Sequence, residues 1–559
     1  MNDRFGSMGL DILDAIKDLN QLVQKQSTQI SQLSRHHSHS DHSPAPVSSS
    51  PIYSARTGWL ECLSSSTPPS HTVIGAQGCE TILEWDILAP YRTSNCLFTA
   101  TDDEHEAEFD GLPLPALSLD EMLRLGDRYI QGVHKMNPFL DLRELHKSMS
   151  FMAGNGFDWS TRTCLVALVC AIGAVTSTAS GSPSSPEEKT HWPASPDLPL
   201  AMKYWSVATK RLGLAISRND VEAVQCLCLA GIWHMNLLQP LQAARLFHLA
   251  GASWHGLKLM NKHLDSTFSQ KKSLTGMQAL YFAIWKSECE LLMELPLPST
   301  DLDDTLFPHG FPTPPTFDPG ARKENEEGGS DDERTWWYYL AEIAARHLLN
   351  RISCTVRDFP DALTAHHIQK MLKRADMMET QIHNWYLSLP GLFRFDIPTG
   401  LDLGPCSDDL TSILRHRYLG LREYVGRPFV RLCVDYPLDD LEPSLRSRVT
   451  ALASQSLHYC MIKILQLRDL RHQGTWFQMR QVITCSLILS SVCFAQQMPW
   501  RSGAHALSLP EDWLIRVRQT LQRVETSWWR EESGGLKAMY ALVQSVLGAC
   551  SDIYAQNTT

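Results

Sequence analysis

The chain reads as an all-α protein. Three observations predict it: apolar residues return every three or four positions over long stretches, Pro-, Gly- and Ser-rich breakers close those stretches, and period-two alternation bounded by two-residue turns is nearly absent. With 559 residues, 43% of them apolar, the chain is long enough to bury a large core.

Near the N-terminus, Ile12, Ile16, Leu19, Val23, Gln26, Ile30 and Leu33 alternate spacings of four and three, which keeps one seam facing a partner helix. Ile16, Val23 and Ile30 take the a positions, and Ile12, Leu19, Gln26 and Leu33 the d positions. Residues 8–34 are therefore expected to be a coiled-coil dimerisation segment, with a lone amphipathic helix as the alternative. Residues 35–117 are expected to be a mostly disordered linker with a short Trp-containing segment, because Ser, His and Pro dominate from Ser34 to Pro69. His36, His37, His39 and His42 lie in this tract, where no scaffold positions their imidazoles for a metal.

From 118 to 553 the pattern becomes a succession of helices. They fall near 118–132, 141–176, 200–217, 219–237, 240–263, 273–295, 335–357, 362–389, 408–434, 443–469, 474–496 and 511–552. Mobile insertions are expected near 177–199, rich in Ser and Pro, and near 296–334, rich in Pro, Gly, Asp and Glu. No fixed-period repeat appears, which argues against a solenoid.

A formal charge of −11 argues against a surface that binds nucleic acid as a polyelectrolyte. The 15 cysteines follow no regular framework, as in a reducing compartment. The opening MNDRFGSMG lacks an apolar signal core, and the runs Cys164–Val175 and Val482–Ala495 are too short or too polar for a span of about 20 residues. A soluble intracellular protein with no membrane partner is the expectation.

The stretch from Met277 to Pro315 carries most information. Met277, Leu280, Ile284 and Leu291 form a buried stripe, Lys286, Glu290 and Glu294 line another face that is expected to stay in water, and Pro296 and Pro298 stop the helix. Asp301, Leu302, Asp303, Asp304 and Thr305 then resemble the D-x-D-D-T acid motif of class II terpene cyclases, in which a carboxylic acid held protonated in an apolar cavity protonates an alkene. Here the tetrad Asp301–Asp304 lies between prolines, where an exposed acidic turn is the better reading. HExxH, G-x-S-x-G, Walker and G-x-G-x-x-G patterns are missing. Cys226 and Cys228 read as buried thiols, and His366 and His367 as surface or core-edge residues without a third ligand. The basic and aromatic clusters Arg415–Arg431 and Arg468–Arg480 read as helical arginines paired with acids, ahead of a nucleic-acid face.

The block beginning at Leu280, LYFAIWKSECELLMELPLPSTDLDDTLFPHGFPTPP, resembles the middle regulatory region of fungal zinc binuclear cluster (Zn2Cys6) transcription factors. The resemblance extends in order through Ile82–Leu88, Gln242–His263, Thr335–Ile352, Ile382–Pro390, Ile413–Val430 and Ser456–Arg480. Departures are local: Ala244 and Phe282 stand where the family often has Trp, and Ala279 where it often has Arg. The family's DNA reader, six cysteines holding two zinc ions, has no counterpart here, since the first cysteine is Cys62.

The resemblance implies an all-α regulatory domain, not an enzyme, that acts in the nucleus on RNA polymerase II genes of a metabolic or secondary-metabolite set. It implies a homodimer or a heterodimer with another fungal transcription factor. DNA is reached through a zinc cluster missing from this chain or through the partner, and a small-molecule effector sits between helices. No cofactor, catalytic residue or metal ligand is expected within the chain itself; zinc is expected only if an upstream six-cysteine cluster exists. A cluster-less regulatory partner of a complete factor is the alternative, and a cyclase using the Asp301–Asp304 tetrad a lesser one.

The coil is testable by light scattering after size exclusion. Ile16→Asp and Leu19→Asp should each halve the mass of a dimer; unchanged mass removes residues 8–34 as the interface.

Overall fold

A computed structural model describes residues 78–92, 113–176, 197–260, 271–300, 302, 331–357, 364–404, 406, 408–467, 471–523, 525 and 532–558. The coiled-coil positions Ile12, Ile16, Leu19, Val23, Gln26, Ile30 and Leu33, and the histidines from His36 to His42, lie outside them. So does nearly all of the 177–199 stretch.

Helices follow one another in chain order, and no strand occurs among the described residues: α1 (Cys79–Leu83), α2 (Leu119–Tyr129), α3 (Leu142–Asn155), α4 (Thr161–Val175), α5 (Leu198–Ser217), α6 (Val221–Asn236), α7 (Pro240–Met260) and α8 (Lys271–Glu294). Then come α9 (Asp331–Arg357), α10 (Ala365–Ser388), α11 (Asp409–Asp435), α12 (Pro443–Leu465), α13 (Thr475–Ala495), α14 (Ser502–His505), α15 (Trp513–Arg523) and α16 (Gly534–Thr558).

Local chemistry sets several starts. The side chains of Ser118, Asp141, Ser160, Asp220, Thr364 and Asp408 each accept a hydrogen bond from an otherwise orphaned backbone N–H at the head of a helix. Two expected regions divide for this reason. The pattern over 141–176 splits because Gly156, at φ 88°, ends α3 in a conformation open to glycine, and the Ser160 cap begins α4. The region 511–552 likewise divides into α15 and α16.

Helix α4 is buried over nearly its whole circumference and packs against α2, α5 and α6, while α11 and α13 play the same part in the C-terminal half. Helices α8 and α9 join the halves, α8 touching α6 and α7 on one side and α9 touching α10 and α11 on the other. Helix α13, with 21 residues, is long and apolar enough to cross a membrane once Thr475–Gln481 is counted with the run Val482–Ala495 that the sequence reading set aside as too short or too polar. Since 78% of its apolar window is buried within the body, it is a core helix.

Within 35–117 the described residues are 78–92, which hold the expected short Trp-containing segment, and 113–117. Cys79, Ile82, Leu83, Trp85 and Leu88 are buried in the core, and Tyr91 stacks on Phe494 of α13 with ring centroids 5.9 Å apart. Six apolar residues within ten positions exceed what a solvated tract leaves exposed, so this segment folds onto the body. The expected insertion at 296–334 is similarly docked at its start. Thr300 donates its backbone N–H to Glu288 at 2.7 Å, and the Tyr281 hydroxyl donates to the Leu302 carbonyl at 2.5 Å.

Gly426 sets the α11–α12 crossing: a Cβ there would lie 2.6 Å from both the Leu452 carbonyl oxygen and the Ser456 Cβ. Gly420, two turns earlier, has nothing within 4 Å of its Cβ position. Gly426→Ala should cost about 1–3 kcal/mol through overpacking, whereas Gly420→Ala should be neutral or gain up to about 1 kcal/mol of helix propensity. Urea denaturation of the two variants checks the contrast.

Candidate functional site: a charged cavity at the α8–α9–α11 junction

From Thr275 to Glu294, helix α8 has no exposed residue. Ala279, Leu280, Tyr281, Phe282, Ala283, Ile284 and Trp285 are all buried, so apolar side chains surround this stretch and the charged positions from Lys286 onward also point into protein. Lys286 and Glu294 are each 4% exposed, which overturns the expectation that Lys286, Glu290 and Glu294 stay in water. The three side chains are four residues apart and face α9, α11 and α13.

Helix α9 supplies the matching set at the same spacing, Tyr338, Glu342 and Arg346, and α11 contributes Arg417. Arg346 Nη2 donates to Glu290 Oε1 at 3.0 Å, Arg417 Nε donates to Glu342 Oε1 at 2.8 Å, and Arg417 also pairs with Glu290. Burial works to raise the pKa of Glu290, and the Arg417 and Arg346 guanidiniums outweigh it, so the carboxyl stays below its ordinary value. Burial works against the charge of Arg417, and Glu342 and Glu290 more than offset it. Glu290 and Arg417 are therefore held in their charged forms.

Lys286 differs. Its Nζ donates one long hydrogen bond, 3.4 Å, to the Met136 carbonyl and lies 5.6 Å from the Tyr339 ring centroid, with no carboxylate within salt-bridge distance among the described residues. Burial is the largest influence on it and lowers its pKa; Glu342 and Glu290 only partly restore the charged form.

These groups border a cavity of about 580 Å3, a volume suited to a small organic molecule. One wall comes from the π-turn Ile130–His134 that extends α2, which brings Gln131, Lys135 and Met136 to the site. Lys286 and Glu290 of α8, and Arg334, Tyr338 and Glu342 of α9, form a second wall. Ile413, Arg415, His416 and Arg417 of α11 form the third, and Gln466, His472, Phe477 and Gln478 close the end. Arg415 is held by neutral partners, donating to the Gly404 carbonyl at 2.7 Å and to Gln466 Oε1 at 3.1 Å. His416, bonded through Nε2 to Gln481 Oε1 at 2.9 Å, has its pKa pushed down to about 3 by burial and by the charge of Lys463. It stays neutral at physiological pH.

The residues singled out from sequence fall elsewhere. Asp301, Asp303, Asp304 and Thr305 lie outside the described residues, and Leu302 is buried against α8. Cys226 and Cys228 are core thiols, both pushed well above the ordinary range by burial. His366 is exposed, with His367 half-buried beside it. In the two basic clusters several arginines turn inward: Arg427 pairs with Glu423, Arg471 with Glu532, and Arg480 with Glu80 and Glu294. An arginine consumed in this way has no guanidinium left for phosphate. Among the described residues no three His, Cys, Asp or Glu side chains come together as a metal site.

Comparison with known protein families, with characterised proteins and with solved structures finds no match for this chain.

Removing Glu290 takes from Arg346 the carboxylate it pairs with and leaves Arg417 with Glu342 alone, in an apolar setting. Glu290→Gln should therefore destabilise the body by about 3 kcal/mol or more. The exposed pair Lys147–Glu144, with both side chains over 60% exposed, gives the contrast: Glu144→Gln should change stability by less than about 1 kcal/mol. Denaturant melts of both variants test the difference.

Proposed function

We propose that this chain is the regulatory body of a fungal transcription factor of the zinc binuclear cluster type. It acts in the nucleus as a homodimer or heterodimer, and its helical domain responds to a small molecule held in the α8–α9–α11 cavity. What supports the reading is where the resembling segments lie. The blocks at Leu280, Thr335–Ile352, Ile413–Val430 and Ser456–Arg480 become α8, α9, α11 and the α12–α13 region, the elements that bring Lys286, Glu342, Arg417 and Gln478 to one cavity. Residues shared with the resemblance thus serve one site as well as one core.

The proposed mechanism is a population shift. An occupant that contacts α8, α9, α11 and α13 favours whichever arrangement of these helices gives it the better contacts. Helix α13 also carries the dock for the N-terminal segment, since Arg480 pairs with Glu80 and Phe494 stacks on Tyr91. A change at the cavity therefore reaches the segment that leads toward residues 8–34. DNA contact comes through a zinc cluster outside this chain or through a partner subunit, and the chain performs no catalysis. The reading as a cluster-less partner differs only in who contacts DNA.

Fusion of the chain to a heterologous DNA-binding domain tests this with a reporter gene. Expression should change severalfold relative to the DNA-binding domain alone, and Glu80→Gln, which loosens the α13 dock, should alter that level at equal protein abundance. An unchanged reporter with both proteins overturns the regulatory reading.

A further inference from the structure

The cavity's charges are unevenly spent. Of its five carboxylates, Glu290 is taken by Arg346 and Arg417, Glu342 by Arg417, Asp408 by Arg334, Asp331 lies 3.8 Å from Lys135, and Asp409 is exposed to solvent at the head of α11. Asp408 also caps α11, accepting from the Thr411 backbone N–H at 3.0 Å. Its cations are not all matched. Lys286 has only the 3.4 Å bond to a backbone carbonyl, and Arg415 has only a carbonyl and an amide. The ammonium carries three donors, so at least two remain for an occupant. The Tyr338 hydroxyl, on the same wall, makes no hydrogen bond to another described residue. Beside these polar groups, Met136, Ile413 and Phe477 present partly exposed apolar surface to the same space.

We propose that the cavity binds a small amphipathic carboxylic acid, its carboxylate received by Lys286 and the Tyr338 hydroxyl and its apolar body lying against Met136, Ile413 and Phe477. A carboxylate is the group that completes this wall, because it accepts from an ammonium and from a phenol at once. An amine would meet Lys286 with like charge, and a neutral polar group would leave a buried ammonium without a counter-charge. The volume of about 580 Å3 accommodates a ring or a chain of several carbons and leaves a long-chain lipid without room. The inference rests on the cavity of the regulatory reading and adds the chemical class of its occupant.

Calorimetry and thermal melts of the full chain test it with two matched pairs, octanoate against 1-octanol and benzoate against benzamide. At least one acid should bind saturably and raise the melting temperature, while its neutral counterpart binds about tenfold more weakly or worse, the loss of one charge-assisted hydrogen bond. Lys286→Met should abolish the preference for the acid over its neutral counterpart, and Lys286→Arg should keep it. Melting of each free variant, set against the wild type, confirms that it is folded. Lys286→Leu replaces Lys286→Met if the latter does not fold. Equal binding of acid and neutral counterpart, binding of neither acid, or an acid preference that survives loss of the Lys286 charge overturns the proposal. Should the acids fail while the reporter fusion still responds, the occupant's class is wrong and the regulatory reading stands.

Discussion

A carboxylate in the middle of a helical body survives ionised only where cations outweigh the cost of its burial, and Glu290 is that carboxylate here. It accepts from Arg346 of α9 and Arg417 of α11 while standing on α8, so one side chain ties three helices drawn from well-separated parts of the chain. The packing of α8 depends on this arrangement. Glu290 stands among the buried apolar side chains of α8, and without the two guanidiniums a buried negative charge would force either protonation or an opening to water. The cavity exists at the same junction because charged side chains of unequal length cannot close the space as aliphatic ones do.

Two further ionic nodes repeat the device. Glu423 of α11 accepts from Arg427 at 2.8 Å and from Lys463 of α12 at 3.1 Å; burial works to raise its pKa, but those two charges bring it down to about 2. Arg480 of α13 binds Glu294 of α8 at 2.7 Å and Glu80 of the N-terminal segment. Each node sits where hydrophobic contact alone would leave the helices free to slide, and directional bonds fix their register. The nodes share elements: α8 belongs to the first and third, α11 to the first and second.

The helices were legible because periodicity records one-sided burial, and most of this fold is one-sided. Helices α5, α10 and α11 lie within two or three residues of where the spacing of their apolar positions puts them. What escaped was the environment of charge. Lys286, Glu290 and Glu294 have the four-residue spacing of a solvated face, and nothing in that spacing distinguishes water from a neighbouring helix with complementary charge. A signal was nonetheless present: Ala279 and Ala283 fall within the arc of the three charged residues, and Tyr281, Phe282, Ile284 and Trp285 fill the rest of the circumference, leaving only a narrow polar arc. At Ile82–Leu88, the short Trp-containing segment, apolar density within a polar tract marked a stretch that docks on the body. Gly156 and Ser160, which divide one apparent helix into two, were readable as a stop and a cap.

Helix α13 shows why the cavity and the N-terminal dock belong to one mechanical unit. Phe477, Gln478 and Gln481 lie toward the cavity, and Arg480 and Phe494 toward the segment Cys79–Tyr91. A helix of 21 residues is about 31 Å long and holds its shape through its backbone hydrogen bonds, so it moves as a rod. Displacement at its cavity end is transmitted to the dock. Its apolar remainder is packed against α12 and α16, so its motion is also passed to those helices. The Arg480 node therefore governs how far that motion is coupled: while Glu80 and Glu294 share one guanidinium, α8, α13 and the N-terminal segment must move together.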